Sequence, residues 1–100
     1  MPVQTLRPKH FFAPQYTLSN EGMVTIFVES NRPVKTYIVR PKALELYREG
    51  GKNFKYYGGF PDPRSHQHQS IWLPFSGPWH LIISNPNNED QADIEYEVSY

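Results

Sequence analysis

The 100-residue chain contains no cysteine, which removes disulfides, thiolate nucleophiles and sulfur metal ligands together and leaves no thiol redox chemistry. Excess charge is missing as well. Ten basic and ten acidic side chains cancel, so nothing supplies the positive field that a phosphate backbone rewards, and nucleic acid is not expected as a partner. No stretch approaches the roughly 20 consecutive apolar residues of a membrane span. The opening MPVQTLRPKHFFAPQYTL has no apolar run of signal-peptide length either. The expectation is a soluble cytoplasmic protein, although a mature exported chain restarted at Met would read the same. Repeats and low-complexity tracts are also lacking, and the length suits a single domain over residues 1–100 built on one core.

What is present is turn chemistry and rings. Ten prolines and six glycines punctuate the chain, and aromatics make up 15% of it, seven of them tyrosines that join an apolar ring to a polar tip. MVTIFVES from Met23 is rich in β-branched and aromatic residues and reads as a strand; Ser30, Asn31, Arg32 and Pro33 then read as a turn, and VKTYIVR as the second strand of a hairpin. PKALELYREGG from Pro41 is the one helical patch, with proline in the first turn and glycine after the end. Leu44 and Tyr47 share one face of it, expected to cap the edge of the fold, while Glu45 and Glu49 face water.

NFKYYGGF reads as extended, with Gly58 and Gly59 at a turn or bulge where side chains would be in the way. PDPRSHQHQ reads as loop. SIWLPFSGPWHLIIS holds two strands about Ser76, Gly77 and Pro78, the first at an edge or a bulge because Pro74 cannot donate to a ladder. ADIEYEVSY alternates, with Ile94, Tyr96 and Val98 on one side and Asp93, Glu95 and Glu97 on the other. The expected fold is all-β: an antiparallel β-sandwich, jelly-roll-like or GOLD-like, of about seven strands with one short helix. Its expected core runs from Leu18, Val24, Ile26 and Val28 through Val34, Ile38 and Phe54 to Ile71, Leu73, Leu81, Ile83, Ile94, Tyr96 and Val98.

LYREGGKNFKYYGGF followed by SIWLPFSGPWHLIIS resembles a small bacterial domain, number eighteen eighty-three among the domains of unknown function. The matching residues are Tyr47, Arg48, Gly50, Tyr56, Tyr57, Gly58, Gly59, Ser76, Gly77 and Trp79, and the likeness runs from Met23 to the end. That family is similar in layout to the GOLD domains of cargo receptors. Some of its members are joined to TIR domains, so the resemblance implies a sensing or docking role and assigns no catalytic residue. PDPRSHQHQ and NPNNEDQ depart from the family's basic segment and glycine-rich turn, so no binding role carries over to those loops.

Three constellations invite chemical readings. His66 and His68, two residues apart, could share a divalent ion if Asp62, His80 or His10 supplied a third ligand; loop histidines are more commonly solvated polar residues. A serine hydrolase would need Ser65 or Ser70 beside one of those histidines and Asp62 behind it, yet no strained nucleophile turn accompanies them. The carboxylates Glu45 and Glu49, and the stripe Asp93, Glu95 and Glu97, fit solvated faces better than acid–base pairs, since no ion-binding loop accompanies them.

Rings are the stronger lead. Tyr56, Tyr57, Phe60, Trp72, Phe75 and Trp79 lie close together in the chain, and alternation sends some of them away from the core. The bland alternative is that Tyr57 and Trp79 seal the end of the sandwich. The reading is a non-catalytic binding or interaction module that contacts a protein or a carbohydrate through Tyr56, Tyr57, Phe60, Trp72 and Trp79, with no cofactor. The alternative is a small metal-assisted or serine-type hydrolase on the His66 and His68 loop. Self-association through unpaired edge strands is a further expectation.

Overall fold

The computed structural model describes residues 3–100; residues 1 and 2 of the expected 1–100 domain lie outside the described residues. In chain order the elements are β1 (Val3–Leu6), β2 (Phe11–Phe12), β3 (Gln15–Leu18), β4 (Gly22–Val39), α1 (Pro41–Arg48), β5 (Arg64–Leu73), β6 (Gly77–Ser84) and β7 (Ala92–Ser99). The fold is the expected all-β one, seven antiparallel strands and one short helix.

The expected hairpin at Ser30–Pro33 is not formed. β4 instead runs on for 18 residues and serves both layers. Its first half pairs with β5 on one side and β7 on the other, and β1 extends β7; its second half, Lys35 to Val39, pairs with β6. β2 and β3 both run along the far edge of β6. The register against β5 slips between Glu29 and Val34, so the residues read as a turn form a bend that carries the strand from one layer to the other. Two features hold it extended. The ring-fixed φ of Pro33 suits extended backbone as well as a turn, and its missing N–H costs nothing where the ladder is interrupted. Asn31 Oδ1 also accepts the Asp93 N–H at 2.8 Å, a side chain standing in for a ladder carbonyl.

Between the layers lie Val24, Ile26, Val28, Val34, Ile38, Leu81, Ile83 and Ile94, all fully buried, each large side chain contributing about 1.5 to 3 kcal/mol. Phe54, Ile71, Tyr96 and Val98, expected in the core, are only partly buried. Helix α1 does not cap an edge. It covers the outer face of the second layer, where Ala43 and Leu44 close a smaller core over Val39 and Ile82. β6 is therefore buried on both faces, which explains the unbroken apolar run Leu81-Ile82-Ile83.

Candidate binding surface

PDPRSHQHQ is loop only as far as Pro63; the rest is the first half of β5, and its alternation explains the His-Gln-His-Gln repeat. The glutamines face inward. Gln67, almost fully buried, accepts from the Thr36 hydroxyl at 2.6 Å and donates through Nε2 to the Val34 carbonyl at 2.9 Å. Gln69 Oε1 accepts the Gly59 N–H at 2.8 Å. The histidines face outward on an exposed sheet surface.

The Tyr-Tyr-Gly-Gly segment lies against β4 on the side opposite β6. Tyr57 N–H donates to the Ile38 carbonyl, Ile38 N–H to that of Gly58, and Thr36 and Phe60 exchange both backbone bonds, at 2.8 to 3.1 Å. The glycines permit this approach. A Cβ on Gly58 would stand 2.8 Å from Gln69 Oε1, and one on Gly59, whose φ is +108°, would overlap the Thr36 carbonyl.

Of the sequence-expected site residues, Trp79 is corrected outright. It is 0% exposed, stacked within 4.9 Å of Tyr16, and has no ring surface to offer a ligand. Tyr57 is half-buried, its ring 4.9 Å from Phe75 on one side and carrying the Lys55 ammonium at 5.0 Å. Phe60 is half-buried under the Arg64 guanidinium. Tyr56 is 45% exposed and packs on Tyr37 and Phe54, part of a ring cluster on the outer face of the second layer that Phe11 and Tyr47 complete. Trp72 is 53% exposed on the outer face of the first layer, directly across from Met23 at 54%. The expected patch is thus divided between two surfaces.

A cleft of about 170 Å³ opens between the first turns of α1 and the segment before Gly58, lined by Arg40, Lys42, Ala43, Leu46, Lys55 and Tyr57. Leu46 is 40% exposed at its rim. The basic residues lining it had no place in the sequence reading, because Arg40 and Lys42 precede Lys55 by more than ten positions and only the fold of the chain after α1 brings them together. Burial pushes the Tyr37 phenol above its ordinary value, with Tyr47, Tyr56 and Asp62 adding to the effect. Beside the larger core, burial pushes Tyr16 up to about 12, assisted by Tyr96 and Tyr100.

The histidine constellations do not assemble. His66 Nδ1 stands 3.3 Å from Glu29 Oε1, and both His66 and His68 lie edge-on to Phe27. Ser70 shares a hydrogen bond with Thr25 at 2.8 Å, and His80 Nδ1 contacts the Ala13 carbonyl. Among the described residues no group of three or more His, Cys, Asp or Glu side chains could hold a metal ion, and no helix is long and apolar enough to cross a membrane. Asp93, Glu95 and Glu97 are exposed on β7, as are Glu45 and Glu49 on and beside α1.

No family model matches the chain, and no curated protein matches it in sequence. Its likenesses are to solved structures. PliG of Salmonella Typhimurium, a periplasmic inhibitor of g-type lysozyme, superposes with a TM-score of 0.53 over 98% of this chain and 88% of its own, at 12% identity. A PliG mutant from Escherichia coli, again a periplasmic g-type lysozyme inhibitor, gives a TM-score of 0.54 over 98% and 85%, also at 12% identity. A variant of a family 29 carbohydrate-binding module gives 0.50 over 96% and 68% at 14% identity. At such identities the likeness is one of fold, an all-β architecture that serves a protein inhibitor and a carbohydrate-binding module alike.

Proposed function

We propose that this chain is a non-catalytic binding module whose ligand is a protein, contacted around the cleft between α1 and the segment Lys55–Tyr57. One observation carries the reading. Leu46 is kept 40% exposed at the rim of an apolar-floored cleft, and Tyr56, between the lining residues Lys55 and Tyr57 in the chain, is 45% exposed, where apolar side chains add contact area to a partner. Likeness in fold to a lysozyme inhibitor supports a protein ligand. About 800 Å² per partner would suffice for a specific contact. The test is capture from a lysate of the source organism on the immobilised protein, with Leu46→Ala/Tyr56→Ala as control. Loss of a wild-type-specific protein in the variant, at unchanged melting temperature, is the expected result; retention of every captured protein would refute it. Trp79→Ala is unsuitable as a control, because removing a fully buried indole costs about 3 to 5 kcal/mol and attacks the fold itself.

A carbohydrate is the second reading, on the other surface. Trp72 and Met23 present adjacent apolar faces beside the Thr25 and Ser70 hydroxyls, a ring and polar groups of the kind that stack on and bond to a sugar. Retardation of the protein in gels containing soluble polysaccharide, lost in Trp72→Ala, would favour it.

A further inference from the structure

The cleft beside α1 is lined by cations, whereas a second depression, lined by Glu29, Ser30, Asn31, Asp93 and Glu95, is acidic. Arg40, Lys42 and Lys55 line it and no carboxylate does. The ion pair found among the described residues, Arg32 with Asp90, and the contact of His66 with Glu29 involve none of these three cations. Two are instead steadied by rings. The Arg40 guanidinium lies 4.3 Å from the Phe75 centroid and the Lys55 ammonium 5.0 Å from that of Tyr57, contacts that fix position without neutralising charge. Arg40 Nε is buried and has no hydrogen-bond acceptor among the described residues, an arrangement uncommon for a buried donor.

The local helix adds to this field. α1 has no acidic residue in its first turn, and Arg40 at its N-cap makes no side-chain cap bond, so cations stand where the helix dipole favours anions. The floor is apolar. Ala43, Leu46 and Tyr57 would bury carbon, not oxygen. In a chain of zero net charge, three unpaired cations around an apolar floor are complementary to carboxylates alternating with an apolar side chain.

We propose that this cleft takes an acidic segment of a protein partner, with carboxylates on Arg40, Lys42 and Lys55 and an apolar side chain against Leu46 and Tyr57. The inference rests on the protein-binding reading above and names the chemistry of its ligand.

The test uses a fluorescein-labelled peptide of three Glu-Glu-Leu repeats, with Gln-Gln-Leu and Glu-Glu-Ser repeats as comparisons, by fluorescence anisotropy and by amide shifts of the labelled protein. The Glu-Glu-Leu peptide should bind at least about tenfold more tightly than either comparison, weaken as salt is raised, and shift amides between Arg40 and Leu46 and between Lys55 and Tyr57. Lys42→Gln/Lys55→Gln, at two exposed positions, should lose at least about tenfold in affinity while melting like the wild type. Equal binding of the Gln-Gln-Leu peptide, absence of binding, or shifts confined to other strands would overturn the proposal. So would a dimer in light scattering that Lys55→Gln dissolves, which would assign the cleft to the acidic β7 of a second copy. The two readings fail separately. A lysate partner lost in Leu46→Ala/Tyr56→Ala but kept in Lys42→Gln/Lys55→Gln would end the acidic-ligand proposal and leave the protein-binding module standing.

Discussion

Glycines 50 and 59 both have positive φ, yet their surroundings separate two costs that are usually confounded. Gly50, at +83°, has open space where a Cβ would stand, so Gly50→Ala carries only the conformational penalty, about 1 kcal/mol. Gly59→Ala adds an overlap with the Thr36 carbonyl, and that carbonyl is held by the Phe60 N–H. It should cost well over about 2 kcal/mol in urea unfolding, because the segment must leave β4 to make room. Tyr16 provides a pH test. Its phenol titrates near 12 in the folded chain against 10.0 for an unperturbed tyrosine, so between those values the folded state holds a proton that the unfolded state has lost. Stability from this group is therefore complete below about pH 10 and is lost as pH rises towards 12. Tyr16→Phe should flatten the alkaline fall in melting temperature without abolishing it, since Tyr37 is raised as well. An unchanged slope would mean that the Tyr16 environment is not what it appears from its neighbours. The two tryptophans show where sequence reading stops at this scale: both sit in aromatic strands, and only the layer geometry separates an exposed Trp72 from a buried Trp79.

Among the elements, β5 was half legible. Its Ile71-Trp72-Leu73 end reads as strand from composition, whereas Arg64 to Gln69 carries no β-branched or apolar residue, and only the partners Thr36, Val34 and Gly59 make inward glutamines acceptable. The alternation makes a direct prediction. His66→Ala/His68→Ala should change stability by less than about 0.5 kcal/mol, while Gln67→Ala, which strands the Thr36 hydroxyl and the Val34 carbonyl, should cost about 2 to 4 kcal/mol. Comparable losses from both variants, measured by denaturant midpoint, would show that the histidines are structural. β6 and β7 were read correctly from their apolar patterns. The helix was placed correctly along the chain but not in space, because an eight-residue helix with two buried side chains fits an edge or a face equally well until Val39 and Ile82 are known to lie beneath it. The candidate cleft was invisible for the same reason: its cations come from opposite ends of the segment that contains α1.

For the whole molecule, the expected hairpin and the observed bend lead to different assemblies. A hairpin at Ser30–Pro33 would have set both halves of the central strand side by side; the bend gives one half to each layer. Trp72 and Trp79 report on the two layers separately, one on β5 and one on β6. Urea unfolding followed by Trp79 fluorescence in Trp72→Phe should coincide with that followed by far-ultraviolet circular dichroism. Two separated transitions would show that the layers come apart independently.

The shared strand has one more consequence. Its first half sits between β5 and β7, both later in the chain, so until β7 pairs with β4 the residues from Thr25 to Glu29 have a partner on one side only, whereas the pairing of β4 with β6 needs nothing from β7. The first layer therefore closes through contacts between residues far apart in sequence, which predicts slow folding and a marked loss of stability when β7 is removed.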